Sequence, residues 1–262
     1  MFQAVLDESG YEAADSNYRD DVFVFAGYIG KLVDWAAFTH AWQRIIDTHP
    51  ELQEVEFVKG LMRWKGRYSD PRAVDLVKSV IENNGLASIR WRLPYKEYRK
   101  VVVTHALGSN ENIYVFAWFA VLMMAIGIIS AMPGATLDLI YDQNIFEEPK
   151  VQTGYERLRK WLEKNYPDVA ARVPCRPHPK SDTQFWPLRA ADALAWNTHR
   201  HYIRTHRRRA FGNPLWRLLD SGPIAMDATW TAEDVRDVLR PNQPMESGRR
   251  IKELWQAMTR QR

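Results

Sequence analysis

One cysteine, Cys175, stands alone in 262 residues, so the chain can form no internal disulfide and its fold must rest on packing. A lone thiol fits a reducing compartment. Motifs of several large enzyme classes are also missing. Gly27-Tyr-Ile-Gly30-Lys31 lacks the spacing of a phosphate-binding P-loop, and there is no GxGxxG, HExxH, GxSxG or CxxC. These absences argue against P-loop nucleotide hydrolysis, dinucleotide redox chemistry and zinc peptidase activity. No low-complexity tract or repeat period occurs. The opening MFQAVLDESG holds two acids and no basic residue, unlike a secretory signal, and a cytoplasmic location is expected.

Apolar residues make up 46% of the chain and charged residues 26%, the balance of a globular protein. Eleven Trp, eleven Tyr and ten Phe can fill a large core. The net charge of +4 hides an uneven distribution. Residues 1–149 carry 14 Lys+Arg against 20 Asp+Glu, whereas residues 150–262 carry 22 against 12. A basic second half points to a polyanionic partner, nucleic acid above all, with a solvated surface as the plainer account.

The chain opens with an apolar strand, Phe2 to Leu6, that runs into Asp7-Glu8-Ser9-Gly10. A second strand is predicted at Val22–Ile29 and a third at Leu86–Trp91. Asp34 is placed as the cap of a helix carrying Trp35, Phe38, Trp42, Ile45 and Ile46. Asp70-Pro71 marks another helix start, with Gly85 beyond its end. Ile113–Met132 has no charge over 20 positions, enough to span a bilayer. It is read as a central buried helix because it is the only such segment and the strand Ala135–Tyr141 follows at once. Amphipathic helices are expected over 150–165 and 251–259, a helix with a proline in its first turn over 187–204, and a capping box at Thr231 to Asp234 opens a further short one. Ala171–Thr183, with three prolines, is a strand or a loop.

Carboxylates occupy the informative places. Asp7 and Asp142 each end a hydrophobic strand, where open α/β sheets bind ligands. Asp192 lies in the apolar helical run Leu188–Trp196, where an unpaired charge is costly. A shared divalent cation would neutralise such a set, and hard oxygen donors suit Mg²⁺ or Mn²⁺, ions that support phosphodiester cleavage. Each acid alone also reads as a cap, a turn residue or half of an ion pair.

Asp7-Glu8-Ser9-Gly10 after an opening strand, followed by an aromatic-rich strand ending Ala26-Gly27-Tyr28, resembles the bacterial domain of unknown function 3800 family. Glu56-Phe-Val-Lys59-Gly60 is similar to that family's Glu-x-Lys region, with one extra residue before the lysine. Tyr141-Asp142-Gln143-Asn144 is similar to its acidic strand end. Leu188–Trp196 is similar to its Gln-x-Ala-Asp helix, with Arg189 in place of the glutamine. The resemblance covers roughly residues 1–206. It implies a ribonuclease H-like α/β fold: a mixed five-stranded sheet flanked by helices, strands one, four and five parallel, two and three antiparallel. Residues 207–262 are then a basic helical C-terminal extension.

The resemblance implies that Asp7, Asp142 and Asp192 form a metal centre for Mg²⁺ or Mn²⁺, with Glu56 as a fourth catalytic carboxylate. Glu8, Lys59, Gln143 and His199 are candidates for supporting positions. Glu8 faces away from Asp7 if both lie in one strand, and His199 falls seven residues after Asp192, on the same helical face, where it is a candidate proton shuttle. Arg189, Arg200, Arg204, Arg207, Arg208 and Arg209 are candidate nucleic-acid contacts, and a run of cations at a helix end is the plainer account of the last five. The expected function is a metal-dependent nuclease or related phosphodiesterase. The alternatives are a non-catalytic module of the same fold that binds nucleic acid or a protein partner, and a membrane-anchored protein using Ile113–Met132.

Overall fold

The computed structural model describes residues 1–10, 21–63, 70–82, 85–104, 113–130, 132–143, 148–173, 176–206 and 214–239. Its centre is a mixed sheet of six strands: β1 (Phe2–Ser9), β2 (Val22–Lys31), β3 (Ala87–Pro94), β4 (Leu137–Asp142), β5 (His178–Lys180) and β6 (Ile224–Thr229). Their spatial order is β5-β4-β1-β2-β3-β6. β1, β2 and β3 form an antiparallel meander, whereas β4 runs parallel to β1 and β5 parallel to β4. The sixth strand, β6, lies parallel to β3. The sequence reading anticipates five strands and a purely helical C-terminal extension; β6 corrects both points. It sits between α9 (Pro214–Ser221) and α10 (Ala232–Leu239). The capping box of α10 forms as expected, with Asp234 Oδ2 accepting from the Thr231 N–H at 2.7 Å.

Alternation along the strands divides the core in two. Ala4, Leu6, Phe23, Phe25, Trp91, Leu139 and Tyr141 face one side and pack with α5 (Ile113–Ser130). That helix lies against β2, β3, β4 and α6 (Glu148–Asn165). Ala117, Trp118, Ala120, Val121, Ala125 and Ile129 of this helix are buried there. Among the described residues no helix is long and apolar enough to cross a membrane.

Val5, Val24, Ala26, Tyr28 and Ile140 face the other side and pack with α1 (Leu32–Thr48), α3 (Pro71–Ile81) and α8 (Trp186–His206). α8 crosses β1 and β2 with Ala190, Ala191, Ala193 and Ala195 buried in this core. These short side chains let its axis approach the sheet closely. Gly27 serves the same economy within the sheet, because a Cβ there would overlap the Val5 carbonyl. α3 begins as read, with Asp70 Oδ1 accepting from the Arg72 N–H at 2.9 Å and Pro71 in the first turn. Asp34, by contrast, lies inside the first turn of α1, and Lys31 is the cap. Asp34 Oδ2 accepts from the Lys31 N–H at 3.0 Å, so it fills the partner position of a capping box.

α9 is held to the sheet by a buried cation. Arg90 on β3 is fully inaccessible; it donates to Asp220 Oδ1 at 2.6 Å and to the Leu219 carbonyl at 3.0 Å. Its guanidinium lies 5.0 Å from the centroid of Trp216, whose ring stacks on His201 of α8. Removing the Asp220 carboxylate leaves that charge with only the more distant Asp227 at 3.9 Å. Asp220→Ala should therefore lower stability in urea denaturation by about 2 kcal/mol, less than for a wholly buried pair because Asp220 is half exposed. Arg90→Met/Asp220→Ala should lose less than the sum of the two single variants; a double loss equal to that sum would show that the pair carries no coupling.

Candidate active site

The parallel pairing of β1 with β4 builds the site. Their register ends at Leu6 opposite Tyr141, so Asp7 and Asp142 are the next residues on adjacent strands. Asp7 falls on the side of Val5 and Asp142 on the side of Ile140, the face covered by α8. Asp192 of α8 descends onto that end of the sheet. All three are nearly closed to solvent, Asp7 and Asp142 at 7% exposure and Asp192 at 4%.

Electrostatics record their proximity. Burial pushes the Asp7 carboxyl well above the ordinary carboxylate range, and the charges of Asp192, Glu8 and Asp142 push it further. The Glu8 N–H, donating to Asp7 Oδ1 at 2.8 Å, offsets only part of this. Burial also raises Asp192, although the charge and hydrogen bond of Arg63 and the charge of Lys59 oppose it. Glu8 is placed by strand alternation on the opposite face of the sheet from Asp7, as the sequence implies.

Two cations and a fourth buried carboxylate complete the cluster, and Arg63 and Asp182 were absent from the sequence reading. Lys59 of α2 (Val55–Met62) places Nζ 2.7 Å from Asp182 Oδ2, and Asp182 is 4% exposed in the turn before α8. Arg63, just past the end of α2, pairs with Asp192 Oδ1. Burial works against the Lys59 ammonium, but the hydrogen bond to Asp182 and the charges of Asp192, Asp182 and Glu56 hold its pKa above the usual value. Lys59 and Arg63 are four residues apart on a helix, the spacing that puts both on one face. That spacing was the available signal for Arg63. Asp182 gave none, since Ser181-Asp182-Thr183 reads as an ordinary turn.

Other predicted residues separate from the cluster. Glu56 lies in the first turn of α2 with its side chain 89% exposed, 3.9 Å from Lys59. The charges that act most on Asp7 are those of Asp192, Glu8 and Asp142. The Gln143 side chain is exposed, and its backbone N–H donates to the Lys180 carbonyl at 2.9 Å, extending the β4–β5 pairing. His199 Nε2 lies 2.8 Å from Asp21 Oδ1, which also accepts from the Val22 N–H. The His199 ring packs on Gly10, where φ is +93° and a Cβ would stand 2.9 Å from the imidazole. His199 is two helical turns beyond Asp192, about 10 Å along the axis, and its ring is directed to Asp21.

Among the proposed nucleic-acid contacts, Arg189 is corrected. It is 2% exposed, and its guanidinium donates to the carbonyls of Asp182, Leu52, Gln53 and Thr183. It ties the 3-10 turn Pro50–Gln53, and with it α2, to the start of α8. A phosphate cannot reach it. Arg200 and Arg204 are half-buried on α8, with the Arg200 guanidinium 5.6 Å from the Trp196 ring centroid. Arg207, Arg208 and Arg209, and the helix expected at 251–259, lie outside the described residues.

Four buried carboxyl groups face two cations, and oxygen donors of this kind are those that Mg²⁺ and Mn²⁺ prefer. In the arrangement present, however, Asp192 is held by Arg63, and among the described residues no group of three or more His, Cys, Asp or Glu is placed to hold a metal ion. No known protein family, curated protein or solved structure matches the chain.

The raised pKa of Asp7 has a definite consequence for stability. Below about pH 4 both folded and unfolded chains carry the protonated acid and no penalty exists. Between the unfolded and the folded pKa the unfolded chain gives up its proton first, so native stability falls as pH rises, and the penalty is complete above the folded pKa. In chelator at neutral pH, Asp7→Asn should thus be more stable than wild type, with the difference vanishing towards pH 3. Asp192→Asn should gain less, because it also gives up Arg63. Thermal melts across pH check this, and an Asp7→Asn variant less stable at pH 7 would contradict it.

Proposed function

We propose that this chain is a metal-dependent nuclease or related phosphodiesterase with a ribonuclease H-like fold, akin to the domain of unknown function 3800 family. The observation that carries the reading is the pair Asp7 and Asp142 on adjacent parallel strands beneath Asp192, buried together with an excess of negative charge. The order β3-β2-β1-β4-β5 with β2 antiparallel supports the fold assignment. Asp7 and Asp142 would hold the cation, with Asp192 completing its shell. Bound Mg²⁺ or Mn²⁺ would supply an activated water and stabilise the leaving oxygen. Lys59, fixed by Asp182, contributes positive charge beside the carboxylates without occupying Asp7. Arg200 and Arg204, on the half of α8 leading away from Asp192, would grip the phosphates of a nucleic-acid strand.

A second reading, a non-catalytic module binding nucleic acid or a protein partner, draws on the Arg63–Asp192 pair, which neutralises one carboxylate from within. Activity separates the two. Purified protein with Mn²⁺ should cleave DNA, RNA or a hybrid strand, and Asp142→Asn should reduce the rate by about 100-fold or more while remaining folded, a loss at least as large as that from a residue supporting a metal ligand. Equal rates in wild type and variant would identify a contaminating nuclease, and no cleavage of any substrate would favour the binding module.

A further inference from the structure

Between Asp192 and Asp220 the sequence holds six arginines and no acidic residue. Two of the six, Arg200 and Arg204, lie on the C-terminal half of α8. Asp192, Trp196, Arg200 and Arg204 follow one another at intervals of four residues, about 6 Å of helix each. Cations at a helix end complement its dipole, which accounts for Arg204 in the last turn. It does not account for Arg200, a full turn earlier.

Trp196 is placed differently from the other tryptophans. Every other described one belongs to the core, packs against it or, as Trp216 does, is buried on His201 and Arg90. Trp196 is half-buried and, among the described residues, is part of neither half of the core. The Arg200 guanidinium lies over its ring, 5.6 Å from the centroid. The core draws little from this indole, whereas an aromatic face interleaved with cations is what a single nucleic-acid strand requires.

Resting on the nucleic-acid part of the proposed function, and on no bound cation, we propose that α8 beyond Asp192 is the track of a single strand, with an unpaired base stacked on Trp196 and phosphates on Arg200 and Arg204. In a duplex each base is already stacked on its neighbours, so the ring selects a strand whose bases are open. Every base has a face that stacks, and the track therefore reads strandedness rather than sequence. Arg200 has two roles. It backs the indole, and its charge meets the phosphate beside the stacked base. The spacing leads the strand from Arg204 past Trp196 towards the buried carboxylates.

Fluorescence anisotropy with a short oligothymidine in EDTA tests the track without reference to turnover or metal. The wild type should bind the single strand more tightly than the same strand annealed to its complement. Trp196→Ala should lose about tenfold in single-strand affinity with an unchanged salt dependence, and Trp196→Phe should recover most of that loss. Arg200→Gln and Arg204→Gln should each reduce the salt slope by about 0.7. A wild type that binds duplex as tightly as single strand, or equal single-strand affinity in wild type and Trp196→Ala, overturns the proposal and leaves the nuclease reading standing. Absence of binding to any nucleic acid, in EDTA and in Mn²⁺ alike, overturns both. Should Trp196→Ala fail to fold, wild-type protein irradiated with a strand carrying iodouracil provides the test. Mass spectrometry should find the crosslink on Trp196, and crosslinks confined to other residues overturn the proposal.

Discussion

Parallel pairing of β1 with β4 sets two carboxylates side by side at the end of both strands, and most of the molecule accommodates that arrangement. A parallel partner requires a crossover, and the uncharged helix α5 supplies it while filling one side of the core. The carboxylates emerge on the other side, under a helix whose alanines bring it close enough to place Asp192 over them. Sheet, crossover and cover are each ordinary for an α/β protein. Their joint effect is to concentrate negative charge where water is scarce, which is unfavourable unless a cation answers it.

Two cations do so from α2, and that helix is positioned by the same elements that bury the acids. Arg189 fastens the turn before α2, and Asn197 fastens its end, both from α8. The spacing of Lys59 and Arg63 then directs one charge to Asp182 and the other to Asp192. Cations elsewhere have structural duties: Arg90 secures α9, and Arg172 closes the end of α5 by donating to the Ile129, Met132 and Ala135 carbonyls.

Local chemistry made much of this readable before any coordinates. Asp70-Pro71 opens α3, the uncharged run becomes α5, and strand-end acids meet because hydrophobic strands that feed a crossover pair in parallel. What escaped the sequence depends on distant partners. Ile224–Thr229, with two alanines and an aspartate in six residues, has little intrinsic strand preference and becomes β6 by pairing with β3. Arg189 reads as a surface cation in isolation, and only the carbonyls of Leu52 and Gln53, more than 130 residues away in sequence, make it an internal tie. Asp34 shows the smaller scale of the same limit, since a cap and the third residue of a first turn differ by one helical register.

The central claim is that Asp7 and Asp142 share a divalent cation at the end of β1 and β4. The most direct measurement is a crystal of the protein grown with Mn²⁺, with anomalous differences recorded at the manganese edge. The account predicts an anomalous peak at these carboxylates. A well-ordered site with no peak there at saturating Mn²⁺ would contradict it.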